Sequence, residues 1–223
     1  MPKLPLLTLL MLLMLWPAAV GAADKLDFQP GREYVELPGT PVLSETDDGR
    51  IEVLAFFWYG CGSCYFVDPE VSAWASRLPA DVRFRRLPAS FNPTVNFHAR
   101  IFMTLKALGL DHQVDLSVFE LFQDQRRPVN KPEDLPRLAK HLKIDEKKLI
   151  ETFNSAEVDA SMDQLDKLML AYDLPGVPAM VIDGRYRFDI GTAHGAEGYI
   201  QLADLLIAKE REYRKQNGGR LKK

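Results

Sequence analysis

Apolar and polar positions change their period several times along the chain, and those changes predict the order of elements. After a Pro/Gly-marked lead at Phe28-Gln-Pro-Gly31, Glu33 to Leu37 alternates and predicts a short strand. Pro38-Gly-Thr-Pro41 is a turn. Ile51 to Trp58 (IEVLAFFW) is a β-branched and aromatic run, the pattern of a buried central strand. It breaks at Tyr59-Gly60 and leads into Cys61-Gly62-Ser63-Cys64. Phe66, Val67, Val71 and Trp74 then recur at helical spacing within Ser63 to Leu78, with a kink expected at Pro69. Val82 to Leu87 (VRFRRL) alternates as a further strand.

From Asn92 to about Tyr172 the period is helical throughout. One stripe runs Phe97, Ile101, Phe102, Leu105 and is closed by Gly109; a second holds Val114, Val118, Phe119 and Phe122. Leu135, Leu138, Ala139 and Leu142 form the third, Leu149, Ile150 and Phe153 the fourth, and Leu165, Leu168 and Met169 the fifth, ending near Pro175. Stripes of this kind are helix-packing core, and they carry no chemistry here. Strand pattern returns at Ala179 to Ile182 and again at Tyr186 to Ile190. Asp183-Gly184 between them predicts a tight hairpin, because that turn needs positive φ. A last amphipathic helix spans Ala196 to about Tyr213, and the basic residues that dominate 209–223 read as a frayed, solvated tail. The predicted class is α/β: a small mixed sheet in two parts, 24–91 and 175–215, interrupted by an all-helical insertion at 92–174, with 216–223 as a basic tail.

The extreme N-terminus stands outside this pattern. Lys3, an apolar run from Leu4 to Trp16 and small residues up to Ala23 match a secretory signal peptide at residues 1–23, cleaved after Ala22 or Ala23. The run is short of the ~20 residues a spanning helix needs, although an uncleaved anchor is the competing possibility. The protein is therefore expected in the periplasm, exported and soluble. With 28 basic and 31 acidic residues the chain has no electrostatic footprint for nucleic acid.

Export changes what the only two cysteines mean, since an oxidising compartment favours a disulfide between near neighbours. Cys61 falls at or just before a helix N-terminus, where free N–H groups and the helix dipole favour a thiolate. Cys64 lies one turn inward, within disulfide reach. A stabilised thiolate makes the disulfide easier to reduce, and so more oxidising. A zinc site would need further ligands, and His98, His112, His141 and His194 show no ligand spacing, so no metal and no cofactor are expected. A purely structural disulfide would close too short a loop to constrain the unfolded chain much. Gly176-Val177-Pro178-Ala179 adds a proline at a strand start, where its missing N–H is tolerated.

Phe56-Phe-Trp-Tyr-Gly-Cys61-x-x-Cys64-Tyr65, followed after the helical segment by Gly176-Val-Pro-Ala-Met180, resembles the DsbA family of thiol:disulfide oxidoreductases across essentially the whole mature chain. The resemblance implies a thioredoxin fold with an inserted helical domain and a cis Pro178 beside the active-site disulfide. It implies that Cys61 attacks and Cys64 resolves, with Gly62, Ser63, Val177 and Pro178 as active-site support. It further implies exported proteins with free cysteines as substrates and re-oxidation by a quinone-linked membrane oxidase of the DsbB type; a monomer is expected. Two positions depart from the family pattern. Gly62-Ser63 stands where Pro-His is common, and Ala55 stands where a buried acidic residue often precedes the first cysteine by six positions. The first change removes a donating or charged His. The second removes a carboxylate that would repel a thiolate at Cys61 and would accept a proton from Cys64. A periplasmic reductase or isomerase, kept reduced by a membrane electron donor, is the alternative; a peptide-binding holdase with an inert disulfide is the non-enzymatic rival.

Overall fold

A computed structural model describes residues 27–38, 48–110, 115–123 and 128–218. The leader at 1–23, Gly39 to Pro41 of the predicted turn, His112, Val114 and the last five residues lie outside these. The described elements are β1 (Val35–Glu36), β2 (Ile51–Phe57), α1 (Gly62–Ala75), β3 (Val82–Pro88), α2 (Pro93–Ala107), α3 (Asp115–Gln123) and a 3-10 turn at Pro132–Asp134. They continue with α4 (Leu135–Leu142), α5 (Glu146–Phe153), α6 (Ala156–Tyr172), β4 (Ala179–Ile182), β5 (Tyr186–Asp189) and α7 (Ala196–Gln216).

The strands form one mixed sheet in the order β1-β5-β4-β2-β3. β2 runs parallel to β3 in the register Ile51↔Val82 and antiparallel to β4 in the register Val53↔Ile182. All seven residues of β2 are buried because both faces of the sheet are covered. Leu54 and Phe56 point into a core shared with α2 to α6, the helices between β3 and β4. Val53 and Ala55 point the other way, into a core shared with Val67, Val71 and Trp74 of α1 and Tyr199, Leu202 and Leu206 of α7. A strand sandwiched in this way has no polar face to show, which is why its sequence reads as a continuous apolar run.

Local signals account for the joints. Asp183 and Gly184 both take positive φ, 52° and 62°, as a two-residue hairpin turn requires. Asn92 caps α2 by accepting from the Val95 N–H at 3.1 Å, and Ser155 caps α6 through Val158. α1 continues through Pro69 as a single helix.

The C-terminal reading needs correction. Residues 209–216 do not fray: α7 runs to Gln216 and its charges are tied to the body of the protein. Arg214 grips both carboxylate oxygens of the fully buried Asp183 at 2.7 Å, reaches Glu210 at 3.2 Å and donates to the Gly49 carbonyl. Arg185 holds the other oxygen of Glu210 at 3.0 Å, and Arg211 pairs with Asp81. The same network reaches β2, where the buried Glu52 pairs with Arg83 at 3.0 Å and accepts the Asp183 N–H on its backbone carbonyl. A basic composition describes the segment without revealing that the hairpin buries an acidic partner for it.

Removing one member of a buried ion pair leaves the other uncompensated, at a cost of about 3–5 kcal/mol. Arg214→Met is therefore expected to lower the urea midpoint by about 1.5–2 M, read by far-ultraviolet circular dichroism. Lys215→Met, on the solvated face, should leave the midpoint unchanged.

Candidate active site

The C-terminal end of β2 delivers the cysteines, and the helical insertion clamps that end in place. Trp58 donates its indole N–H to His98 Nδ1 at 2.8 Å, while His98 Nε2 faces Asn130 Oδ1 at 3.0 Å. Accepting at Nδ1 puts the ring proton on Nε2, and burial lowers the His98 pKa, so this histidine is a neutral strut. Gln123 donates to the Tyr59 carbonyl at 2.8 Å, and the Tyr59 ring packs against Phe57, Phe119 and Phe122. Gly60 must be glycine for a steric reason: a Cβ there would sit 2.3 Å from the Trp58 ring.

Cys61 is the N-cap of α1. Its Sγ accepts the Cys64 backbone N–H at 3.2 Å, the role usually filled by a Ser or Asp oxygen. Hydrogen bonding from the Cys64 thiol, then from the Cys64 and Ser63 backbone N–H groups, outweighs partial burial and lowers the Cys61 pKa to about 7. Cys64 goes the other way. It is buried, and desolvation is the main force that raises its pKa, reinforced by its bond to Cys61 and by the Cys61 charge. Gly62 and Ser63 between them are exposed. The two sulfurs are not bonded to each other in this structure.

The segment before β4 closes the site from the other side. The Val177–Pro178 peptide bond is cis, and the Cys61 thiol approaches the Val177 carbonyl at 3.6 Å. All six residues singled out in the sequence, Cys61, Gly62, Ser63, Cys64, Val177 and Pro178, thus come together although the two motifs are more than a hundred positions apart. Beneath Cys64 lie three residues that sequence reasoning missed: Asp68, Arg86 and Tyr199, which line one small cavity with Ala55 and Pro178. His98, Asn130 and Gln123 were also missed as supports. Only Asp68 carried any sequence signal, since it stands one helical turn after Cys64.

A CxxC pair at a strand-to-helix junction, faced by a cis-proline strand start on a mixed sheet, defines a dithiol–disulfide oxidoreductase of the thioredoxin fold. Comparison narrows this. Residues 86–206 match the model of the DSBA-like thioredoxin domain. The thiol:disulfide interchange protein DsbA of Pseudomonas aeruginosa is 42% identical over 190 residues, covering 85% of this chain and 89% of that protein. The protein of the same name from Azotobacter vinelandii is 40% identical over 185 residues, covering 83% and 86%. The crystal structure of Pseudomonas aeruginosa DsbA superposes with a TM-score of 0.79 at 42% identity, covering 84% of this chain and 97% of that one. That of Xylella fastidiosa DsbA gives 0.75 at 28% identity, covering 82% and 98%. The chain belongs to the DsbA-like thioredoxin-domain family and is a protein thiol:disulfide oxidoreductase.

One thiol alone should titrate in the physiological range. The ultraviolet thiolate absorbance of the reduced protein is expected to rise with a midpoint near pH 7, against an ordinary cysteine value of 9.0, and to vanish in Cys61→Ser. Because the Cys61 pKa is depressed by folding, thiolate formation stabilises the reduced fold fully above the ordinary value, and this contribution is lost as pH falls through about 7. The oxidised protein has no such titration, so the stability gap between the two forms should change over the same interval.

Proposed function

We propose that this protein introduces disulfides into newly exported proteins in the periplasm, with Cys61 as the exchanging thiol and Cys64 as the resolving one. A substrate thiolate attacks Cys61 Sγ of the oxidised pair, and Cys64 leaves as a thiolate. A second substrate thiol then attacks the substrate sulfur of the mixed disulfide, forming the substrate disulfide and releasing Cys61 as a thiolate. The observation that carries this reading is the asymmetry of the pair: a half-buried Cys61 whose thiolate is capped by helix N–H groups, beside a buried Cys64 whose thiolate is penalised. Attack at the accessible sulfur follows from it, and Cys64, bonded to that sulfur, is the one displaced. The edge at Val177 and Pro178 supports docking of extended substrate by backbone pairing, and Gly62-Ser63 leaves the rim open. The leader at 1–23 supports export, and family membership supports re-oxidation by a DsbB-type membrane partner, with the protein acting as a monomer.

Magnitudes decide whether a CGSC pair can still oxidise. The nucleophile pKa known for DsbA, about 3.5, stabilises the thiolate at pH 7 by about 4.8 kcal/mol, or about 100 mV in a two-electron couple. A pKa of about 7 keeps only about 0.4 kcal/mol, or under 10 mV. The potential is therefore expected near −210 mV rather than the −120 mV or so of DsbA. Structural disulfides of secreted proteins lie below about −300 mV, so transfer remains downhill by about 90 mV, a factor of about 10³. The oxidase direction survives the loss of the histidine.

Two measurements test this. Equilibration with glutathione should give a potential near −210 mV; a value at or below that of thioredoxin, about −270 mV, would transfer the case to the reductase reading. Mixed with exported proteins that already carry disulfides, Cys64→Ser should accumulate mixed disulfides through Cys61, because nothing resolves them, and Cys61→Ser should form none; trapping by Cys61→Ser instead would reverse the assigned roles.

A further inference from the structure

The cavity beneath Cys64 has a volume of about 20 Å³ and is walled by α1, β2, β3, the Pro178 segment and α7. A space of that size holds about one water. Its apolar walls are Ala55, Phe56, Phe57, Val67, Val71 and Pro178. Three polar side chains also face it: Asp68 from α1, Arg86 from β3 and Tyr199 from α7. The Tyr199 hydroxyl is buried and has no hydrogen-bond partner among the described residues. A buried hydroxyl left unpaired is destabilising, so a water in this cavity is the partner that the geometry calls for. Asp68 is committed on one side only. Its Oδ1 pairs with Arg86 at 2.8 Å, while Oδ2 has a long 3.4 Å contact with Ser72.

We propose that one water in this cavity carries the Cys64 proton to and from the Asp68 carboxylate, with Arg86 and Tyr199 as positioning residues. The proposal rests on the reading of Cys64 as the resolving thiol. In resolution, the Cys64 S–H gives its proton through the water to Asp68. The resulting thiolate attacks Cys61 Sγ, a Cys61–Cys64 bond forms, and the bond from Cys61 to the external sulfur breaks. That sulfur leaves with the electron pair and is protonated from solvent. In the opposite direction Cys64 departs as a thiolate and takes the proton back from Asp68.

Charge explains why a carboxylate suits this task. An ionised Asp68 raises the Cys64 pKa, so it would oppose a thiolate if both were charged together. Moving the proton from sulfur to Asp68 keeps one negative charge beneath the helix throughout. Burial raises the Asp68 pKa above its ordinary value against the pull of Arg86 and Ser72, which makes it a better match for a thiol proton. Burial first, then the Cys64 charge and Asp189 of β5, hold the Tyr199 hydroxyl in its protonated form. Ala55 opens onto the same space and offers no carboxylate, which leaves Asp68 of the adjoining helix as the carboxylate lining it.

The test separates the two thiol steps. Reduced protein is mixed with oxidised glutathione, quenched in acid at intervals, and the Cys61–glutathione adduct is followed by mass. Attack by Cys61 forms the adduct and Cys64 consumes it. Asp68→Asn should slow consumption by about 10²-fold at pH 7 and flatten its pH profile, with adduct formation unchanged. Tyr199→Phe, which only removes a hydroxyl, should slow consumption several-fold. Consumption rates and pH profiles equal to wild type in both variants overturn the proposal, as does an equal slowing of both steps. Failure of wild type to form any Cys61 adduct would instead overturn the underlying assignment of the two thiols, and the proposal with it.

Discussion

Everything in this molecule hangs on the burial of β2 from both sides. Its alternate side chains feed two separate cores, Leu54 and Phe56 toward the helical insertion, Val53 and Ala55 toward α1 and α7. Each large apolar side chain so buried contributes about 1.5–3 kcal/mol, and the strand cannot slip by one residue without exchanging the two sets. That pinned register fixes where the strand ends. Trp58, Tyr59 and Gly60 follow with no freedom, held by His98, Gln123 and a glycine-sized gap, and the next residue is Cys61 at the start of a helix. The helical insertion therefore does more than cover a face: it supplies the clamp that aims the reactive sulfur.

The same backbone geometry treats the two sulfurs in opposite ways. At Cys61, hydrogen bonds to the sulfur outweigh the loss of water; three residues later, burial outweighs them. Neither effect depends on the identity of the intervening residues beyond their backbone N–H groups. This is why Gly62-Ser63 can stand between the cysteines of a working pair. What the dipeptide gives up is extra stabilisation of the thiolate by a histidine, and the consequence is a matter of potential rather than of mechanism. The hydrogen bond from the Cys64 thiol, with the N–H groups of the helix N-terminus, brings the Cys61 thiol near neutrality, where the thiolate is abundant and still nucleophilic, since nucleophilicity falls as pKa falls.

The parts of this architecture that were legible in the sequence are those written in local pattern. The apolar run of β2, the Asp183-Gly184 turn, the cysteine spacing at a strand-to-helix break and the Gly-Val-Pro strand start each state their structure within a few residues. The parts that were not legible depend on pairings across the chain. His98 gave no sign of supporting Trp58, forty positions earlier, and a histidine in a helical stripe looks the same whether it binds a metal or props an indole. Asp68, Arg86 and Tyr199 are ordinary polar residues of three separate elements until the fold stacks them under Cys64. Basic residues near the C-terminus suggested solvent because their acidic partner, Asp183, reads in sequence only as a turn residue.

Two polar clusters sit at opposite ends of β2, and distance assigns them different work. Glu52, Asp183, Arg83, Arg214 and Glu210 gather at the N-terminal end of the strand. The strand alone carries the chain about 16 Å from Glu52 to Phe57 at about 3.3 Å per residue, and Cys61 lies beyond that end. The cluster is buried and so is little screened by salt, but its carboxylates and guanidinium groups are paired with one another and present little net field at that distance. The distal cluster thus locks α7 and the hairpin to the sheet without tuning the thiols. Electrostatic control of the chemistry is left to what lies within a few ångströms of the sulfurs: the N–H groups of α1 for Cys61, and the small polar cavity for Cys64. Separating the charges that hold the fold from the groups that set reactivity allows either to change without the other.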